Sequence, residues 1–575
     1  MRRIFTLILL MLSSSAWSKE LPVVAGVSLE LAQYRAANIA NVNYRLALDV
    51  PADVSADITG RVQVIFDLAS VAQPVQLDFR EQQQKLRDLR VNGREIEIDF
   101  RNEHLVLPIS ALKVGAKTVQ IGCVAGSASL NRNPDYLYTL FVPDRARTAF
   151  PLFDQPDLKA RYDLTLDVPP GWVALGNAAV TTVTEQGDKS RYEFATSNPI
   201  SSYLFAFVAG RFEVITRTLD GRTMTMLHRE TNPDKIGRNV EAIFEQHAGS
   251  LAWLERYTGI DYAFQKLDFA LVPSFQYGGM EHVGAILYRA DSLLLEENPT
   301  DAELLKRGSL IAHETAHMWF GNLVTMAWFA DVWTKEVFAN FMAAKIVNPL
   351  FPQIDHQLNF LIGHYPGAYS VDRTGGANAI RQDLPNLAEA GQMYGNIIYD
   401  KAPIMMRQLE LIIGEAGFRE GLQEYLRTYA FGNATWPGLV SILDRKTPVD
   451  LKTWSEVWVN TAGRPRFDVA TAGDDGPLLK QLDPSGLGRV WPQRFAVREL
   501  GDESPAAQTL DSVTAAIPWP FKVGDDTPPT IFNSDGMGYG LFPARFEILT
   551  RWTDLSDLEK GSLLIDLYEN MLEPG

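Results

Sequence analysis

Two histidines four residues apart are the first residues of this chain whose spacing promises chemistry. Residues 313 to 317 read His-Glu-Thr-Ala-His. On a helix, positions i and i+4 share one face a turn apart, so His313 and His317 can reach a single cation. Glu314 sits beside the first of them, where a carboxylate can reach a metal-bound water without being a ligand. Zinc lowers the pKa of such a water to about 7, and a neighbouring carboxylate can then take its proton during attack. Catalytic zinc normally takes three protein ligands and leaves a fourth position for water. Glu336, 19 positions beyond His317, is the candidate third ligand. A site for one zinc ion, built from two histidines and a glutamate, is expected.

The elements that must position these residues are readable around them. Glu303 to Phe320 has the character of a helix despite Gly308, and Gly321-Asn322 is a natural stop. Thr334-Lys-Glu-Val-Phe-Ala-Asn-Phe-Met-Ala-Ala-Lys is a second helix, joined to the first by residues 321–333. Upstream, Asn239 to Arg256 places Val240, Ile243, Phe244, Ala248, Leu251 and Leu254 at three-to-four spacing, an amphipathic helix. Strand character interrupts at Lys266 to Pro273 and Ala285 to Arg289, and helical patterns then dominate to about Trp458. From about Val42 to Val214 apolar residues instead alternate with a period of two, as in Tyr44-Arg-Leu-Ala-Leu-Asp-Val, which predicts a mostly antiparallel β domain. Alternation returns after Gly463-Arg-Pro, and Leu555 to Leu572 reads as a last helix. With little to bury against by itself, that helix is expected to open a further helical domain.

With 575 residues the chain exceeds one hydrophobic core, and three or four domains are expected. A formal charge of −17 argues against a nucleic-acid partner, whose phosphates call for Lys and Arg, and against an anionic membrane surface. The first 18 residues have the form of a cleaved export signal. Arg2 and Arg3 precede the apolar run Ile4–Leu12, and small residues at Ala16 and Ser18 suit cleavage before Lys19. The apolar run is about half the ~20 residues needed to span a bilayer, and no later segment is apolar enough. A periplasmic or extracellular location is therefore expected. Cys123, the single cysteine, reads as a buried strand residue without a disulfide partner.

His313-Glu-Thr-Ala-His-Met-Trp-Phe-Gly-Asn-Leu-Val-Thr-Met resembles the metal helix of the zinc aminopeptidases related to aminopeptidase N and leukotriene hydrolase. Gly278-Gly-Met-Glu-His is similar to that family's Gly-Ala-Met-Glu-Asn or Gly-Gly-Met-Glu-Asn exopeptidase motif, and Tyr399-Asp-Lys to its Tyr-x-Lys-Gly. Further similarity runs through Phe150-Pro-Leu-Phe-Asp-Gln-Pro-Asp-Leu-Lys-Ala and Trp458-Val-Asn-Thr-Ala-Gly-Arg-Pro, so the likeness covers most of the chain.

The resemblance implies an α+β multidomain protein. Residues 19–228 would form the β-rich N-terminal domain and 229–460 a thermolysin-like catalytic domain. A small β-sandwich would occupy 461–549, and a helical C-terminal domain would begin at 550–575. It implies a metallo-aminopeptidase acting on peptides with a free N-terminus. Gly278, Gly279, Met280, Glu281 and His282 would contact substrate, with Glu281 pairing the terminal ammonium and Glu336 contributing. Glu314 would activate the water and Tyr399 would donate to the developing oxyanion. Asp331 would orient a ligand histidine, and Tyr394 would line the pocket.

Several positions depart from the family pattern. His282 replaces an Asn and is a group able to titrate near neutral pH. Ala327 stands where a supporting glutamate is common, and Ala402 where a glycine is usual. Thr-Lys-Glu-Val surrounds Glu336 where Leu-Asn-Glu-Gly is typical. Leu140 and Val142 fill positions whose polar residue helps to hold the amine in the family, so Glu281 and Glu336 must suffice, aided by Asp144, or the amine end is handled differently. Two other readings stay open from the residues: epoxide hydrolysis, as in one branch of the family, and a peptide-binding protein of the same fold with weak catalysis.

Overall fold

Alternation shapes the N-terminal third. Along Ile39–Asp49 the side chains of Val42, Tyr44, Leu46 and Leu48 are buried while Arg45 and Ala47 are exposed, the period of a strand with one face on a core. The structure, a computed structural model, describes residues 20–471, 477–501, 506–522 and 528–573. The export-signal residues 1–18 therefore lie outside the described residues, as do Pro574 and Gly575. Ile39–Asp49 belongs to an eight-stranded sheet. It pairs antiparallel with Thr59–Leu68, which pairs antiparallel with Gly115–Val124; Arg161–Val168 joins in parallel on the other side. Cys123 ends the third of these strands, free and fully buried, and burial pushes its thiol up to about 12. Such a thiol is unreactive.

The segment that runs on from Phe150 ties this domain to the metal-bearing part. Lys159 Nζ donates to the carbonyls of Asn322 (2.8 Å) and Leu323 (3.1 Å), just after the histidine helix.

Pro233–Thr258 is a 26-residue helix with every expected punctuation mark. Asn232 caps its N-terminus by accepting from the Asp234 and Lys235 amides, proline sits in its first turn, and Gly259 closes it at φ 63°. Behind it stands a five-stranded sheet in the order Glu213–Leu219, Arg222–His228, Phe269–Val272, Ile286–Arg289, Gly279–Met280. This sheet has strands on both sides of the domain boundary expected at residue 228. Met226 and Leu227 pair in parallel with Phe269 and Ala270, a long-range contact that alternation alone does not disclose. Gly279–Met280 is the edge strand.

The metal-bearing helices are Asp301–Ala316 and Trp333–Val347. Thr300 and Glu303 form a reciprocal capping box at the start of the first. It ends at Ala316, shorter than the expected reach to Phe320, but His317 as its C-cap keeps helical angles (φ −57°, ψ −25°), so the i, i+4 relation survives. Gly308 lets the two helices approach: a Cβ there would sit 3.2 Å from Val347 Cγ1.

Beyond residue 463, two three-stranded sheets pack around Phe467, Phe495, Val497 and Phe542. The last helix, Asp557–Leu572, packs against the preceding sandwich. Leu563 and Leu567 pack with Leu500 and Ile531 of the sandwich, and Glu569 accepts from Arg373 and forms an ion pair with Arg464, each at 2.8 Å. Among the described residues, no helix is long and apolar enough to cross a membrane.

Candidate active site

The histidine helix and the glutamate helix lie side by side, and three side chains converge between them. His313 Nε2 and His317 Nε2 are 3.0 Å apart, and Glu336 Oε2 lies 3.7 and 4.0 Å from them. Tetrahedral zinc with bonds of about 2.0–2.1 Å would hold its ligand atoms roughly 3.3 Å apart, a spacing these three atoms bracket. The outer ring nitrogens are already committed. His313 Nδ1 faces Asn340 Oδ1 at 2.9 Å, and His317 Nδ1 faces the Phe320 carbonyl at 3.1 Å. Both partners are acceptors, so each ring carries its proton on Nδ1 and turns a bare Nε2 lone pair toward the other. Two lone pairs and a carboxylate aimed at one point call for a cation. Burial, then the neighbouring His317, holds His313 down at about 4, in the neutral form that ligates metal. Burial works against ionised Glu336, but the Lys335 ammonium beside it keeps the carboxyl below the usual range. A second triplet, Glu281, Glu314 and His317, is similarly close, but Glu281 is held by a lysine.

Asn340 and the Phe320 carbonyl thus do the orienting expected of Asp331. Both carboxylate oxygens of Asp331 are used elsewhere, accepting from Arg381 Nε (2.5 Å) and the Trp436 amide (3.2 Å), and they fix the loop that starts the glutamate helix. Asn340 escaped the sequence reading although it carries a readable signal, since it lies one turn beyond Glu336 on the same helix face.

Glu314 is buried beside this triad, and its Oε2 has no hydrogen-bond partner in the protein. Burial, and then the charges of Glu281 and Glu336, push its carboxyl well above the ordinary range, which raises its affinity for a proton. The edge strand Gly279–Met280 runs against it. A Cβ on Gly279 would lie 2.6 Å from Glu314 Cδ, whereas one on Gly278 would make only a 3.4 Å contact with Leu310. Gly279→Ala is therefore expected to displace Glu314 and lower kcat on a small peptide substrate by at least about tenfold, as misplacing a reacting group does. Gly278→Ala should stay within about threefold of the parent, and steady-state kinetics of the two variants checks the contrast.

Glu281 and Glu336 both border a cleft of about 1780 Å³ that also takes in Val142, Tyr394 and Tyr399. This is larger than the roughly 300–1,000 Å³ of a typical small-molecule pocket. The Tyr394 and Tyr399 rings stack with centroids 6.3 Å apart, and Tyr399 is 40 % exposed. Burial of its inner part and the Glu336 carboxylate raise the Tyr399 phenol, so it stays protonated. Asn322 Nδ2 holds the Glu281 backbone by donating to its carbonyl at 2.7 Å.

Two expectations fail here. His282 is fully buried behind the cleft wall, with neither ring nitrogen hydrogen-bonded, and burial holds it at about 4. It does not line the cleft, and it does not titrate near neutrality. Asp144 turns away to Arg147 Nη2 at 2.6 Å and does not reach the amine end.

Lys335 was passed over as a mere variant neighbour of Glu336. Its Nζ sits 2.8 Å from Glu336 Oε1, also bonds Glu281 Oε1, and lies 5.5 Å from the centroid of the Tyr203 ring. Burial pulls its pKa down, but the two carboxylates raise it well above the ordinary lysine value. Burial pushes Glu281 up in turn, and Lys335 overrides that and keeps it ionised.

Comparison with known proteins follows the same lines. Residues 243–458 match the Peptidase family M1 domain and residues 127–204 the Peptidase M1 N-terminal domain. The chain is 30% identical over 396 residues to "Probable aminopeptidase 1" of Sulfurisphaera tokodaii, covering 68% of this chain and 50% of that protein. It is 29% identical over 395 residues to "Leucyl aminopeptidase" of Saccharolobus solfataricus, again 68% and 50%. Against "Aminopeptidase N" of Streptomyces lividans it is 33% identical over 349 residues, 59% of this chain and 40% of that protein. The chain spans about half the length of the curated relatives it matches, or less.

Proposed function

This chain belongs to the M1 peptidase family, and on that premise we propose that it is a zinc-dependent metallo-aminopeptidase that hydrolyses the first peptide bond of peptides with a free N-terminus. The observation that carries the reading is the convergence of His313, His317 and Glu336 beside the unpartnered, buried carboxylate of Glu314. Zinc bound by the three would polarise the scissile carbonyl and acidify a water. Glu314 Oε2 receives that water's proton as attack begins and later gives it to the leaving amine. The Tyr399 hydroxyl donates to the oxygen on which charge develops. The edge strand Gly279–Met280 lines the cleft and offers backbone groups along which an extended substrate can lie, and Gly279 keeps that strand close to Glu314. Glu281 ends the cleft as the acceptor for the terminal amine. Among the alternatives, epoxide hydrolysis and weak binding have no supporting observation of this kind, since the full set of peptidase groups is present.

The test is a zinc titration. Metal-free protein should not hydrolyse leucine 4-nitroanilide, and activity should rise linearly and saturate at one zinc per chain. Activity untouched by chelation would refute the proposal. Export to the periplasm or the cell exterior belongs to the same proposal and rests on residues 1–18 alone. Sequencing the N-terminus of the exported protein should find Lys19 first, and an intact Met1 would count against it.

A further inference from the structure

The carboxylate assigned to the substrate's amine is already occupied. Lys335 Nζ lies between Glu281 Oε1 and Glu336 Oε1, its side chain is 4 % exposed, and the Tyr203 ring lies beneath it. An ammonium belonging to the chain itself thus already sits on one oxygen of the carboxylate that a peptide's ammonium would use. Among the described residues, three neighbouring side chains are poor replacement acceptors. Val142 presents an apolar wall, Asp144 is paired with Arg147, and Glu314 is needed for the water.

We propose that Lys335 is a specificity-determining residue, a built-in counter-ion that the substrate's terminal ammonium must displace from Glu281. The inference rests on the aminopeptidase reading and narrows its substrate preference. Exchanging one ammonium for another at the same carboxylate gains little Coulombic energy, because the ion pair that forms replaces one that breaks. Lys335 is moreover tethered, and its effective concentration at Glu281 exceeds that of any dilute peptide. A free N-terminus consequently adds little to binding, and affinity must come from the side chains and backbone that fill the rest of the cleft. Removing the resident cation should unmask the acceptor.

The experiment compares zinc-loaded wild type, Lys335→Asn, Lys335→Gln and the charge-retaining Lys335→Arg. For leucine 4-nitroanilide, KM is expected to fall about tenfold in the Asn and Gln variants, equivalent to about 1.4 kcal/mol of regained ion pairing. kcat should change far less, and KM for the N-acetylated substrate should not move. The Arg variant should discriminate between free and blocked substrates as weakly as wild type. A second measurement needs no turnover: calorimetric binding of leucinol, which has the ammonium but no scissile bond, should tighten about tenfold in the same two variants and not in Lys335→Arg. Unchanged or weaker leucinol binding in a folded Asn or Gln variant would overturn the inference. If one of these two variants fails to fold, the other decides by the same criterion. Absence of hydrolysis by every variant, with leucinol binding tightened, would instead sink the aminopeptidase reading and leave the role of Lys335 standing.

Discussion

Glu314→Gln is expected to lower kcat for leucine 4-nitroanilide by about 10³–10⁴-fold, the upper part of what general acid–base groups contribute, while zinc stays bound at one equivalent. Gln keeps the shape of the side chain, and Glu314 is not one of the three converging ligands, so metal content should be unchanged. What is lost is the proton acceptor. Glu314 Oε2 is the buried carboxylate oxygen beside the triad with nothing in the protein bonded to it, and its high proton affinity comes from burial and from Glu281 and Glu336. An amide cannot take up a proton there. Metal analysis and kinetics on the same preparation check the result, and a Gln variant with more than a tenth of the parent activity would remove Glu314 from its role.

The second large effect is on the metal itself. His317→Ala should weaken zinc binding by more than about 100-fold, beyond the 10- to 100-fold typical of losing an outer-shell partner, and leave peptide hydrolysis at background. His317 is 1 % exposed, and its ring is fixed by the Phe320 carbonyl on one side and points at the triad on the other. Asn340→Ala makes the graded comparison. It removes only the acceptor on His313 Nδ1, so the expected loss is about 10- to 100-fold in zinc affinity with activity recoverable at high zinc. Competition against a chromogenic chelator measures both. Equal losses for the two variants would mean that His317 is no ligand.

The residues of the triad were legible in the sequence because their geometry is local. His313 and His317 are related by one helical turn, and that relation holds even though the helix stops at Ala316. The second helix was legible for similar reasons of periodicity. What sequence could not disclose is partnership across distance. Lys335 meets Glu281 over 54 positions of chain, and only the packing of the glutamate helix against the edge strand brings them together. Asp331 looked like an orienting group because it was an acid near the ligands, yet the loop turns it toward Arg381 and Trp436. His282 shared a motif with Glu281 but not its side of the strand. The hairpin Glu213–His228 alternates like the strands before it, and only its parallel neighbour Phe269–Val272 reveals which sheet it joins. The packing of the final helix on the sandwich was not legible, since neither Leu500 and Ile531 nor Arg373 carries a mark of its destination.

The amine end of the cleft remains the most distinctive part of this molecule. Family likeness points to Glu281 as the group that makes cleavage end-directed, while Lys335 and Val142 lower what a free ammonium gains there. Both statements can hold in one enzyme: the carboxylate still marks the end of the cleft, and the lysine sets how strongly a substrate must bind elsewhere to reach it.

The most direct measurement of the central claim follows a defined ten-residue peptide by mass spectrometry during incubation with the zinc-loaded protein. The account predicts a ladder of products shortened one residue at a time from the N-terminus, absent when zinc is removed and restored by its return. Internal fragments with an intact N-terminal residue, or the same ladder in zinc-free protein, would contradict it.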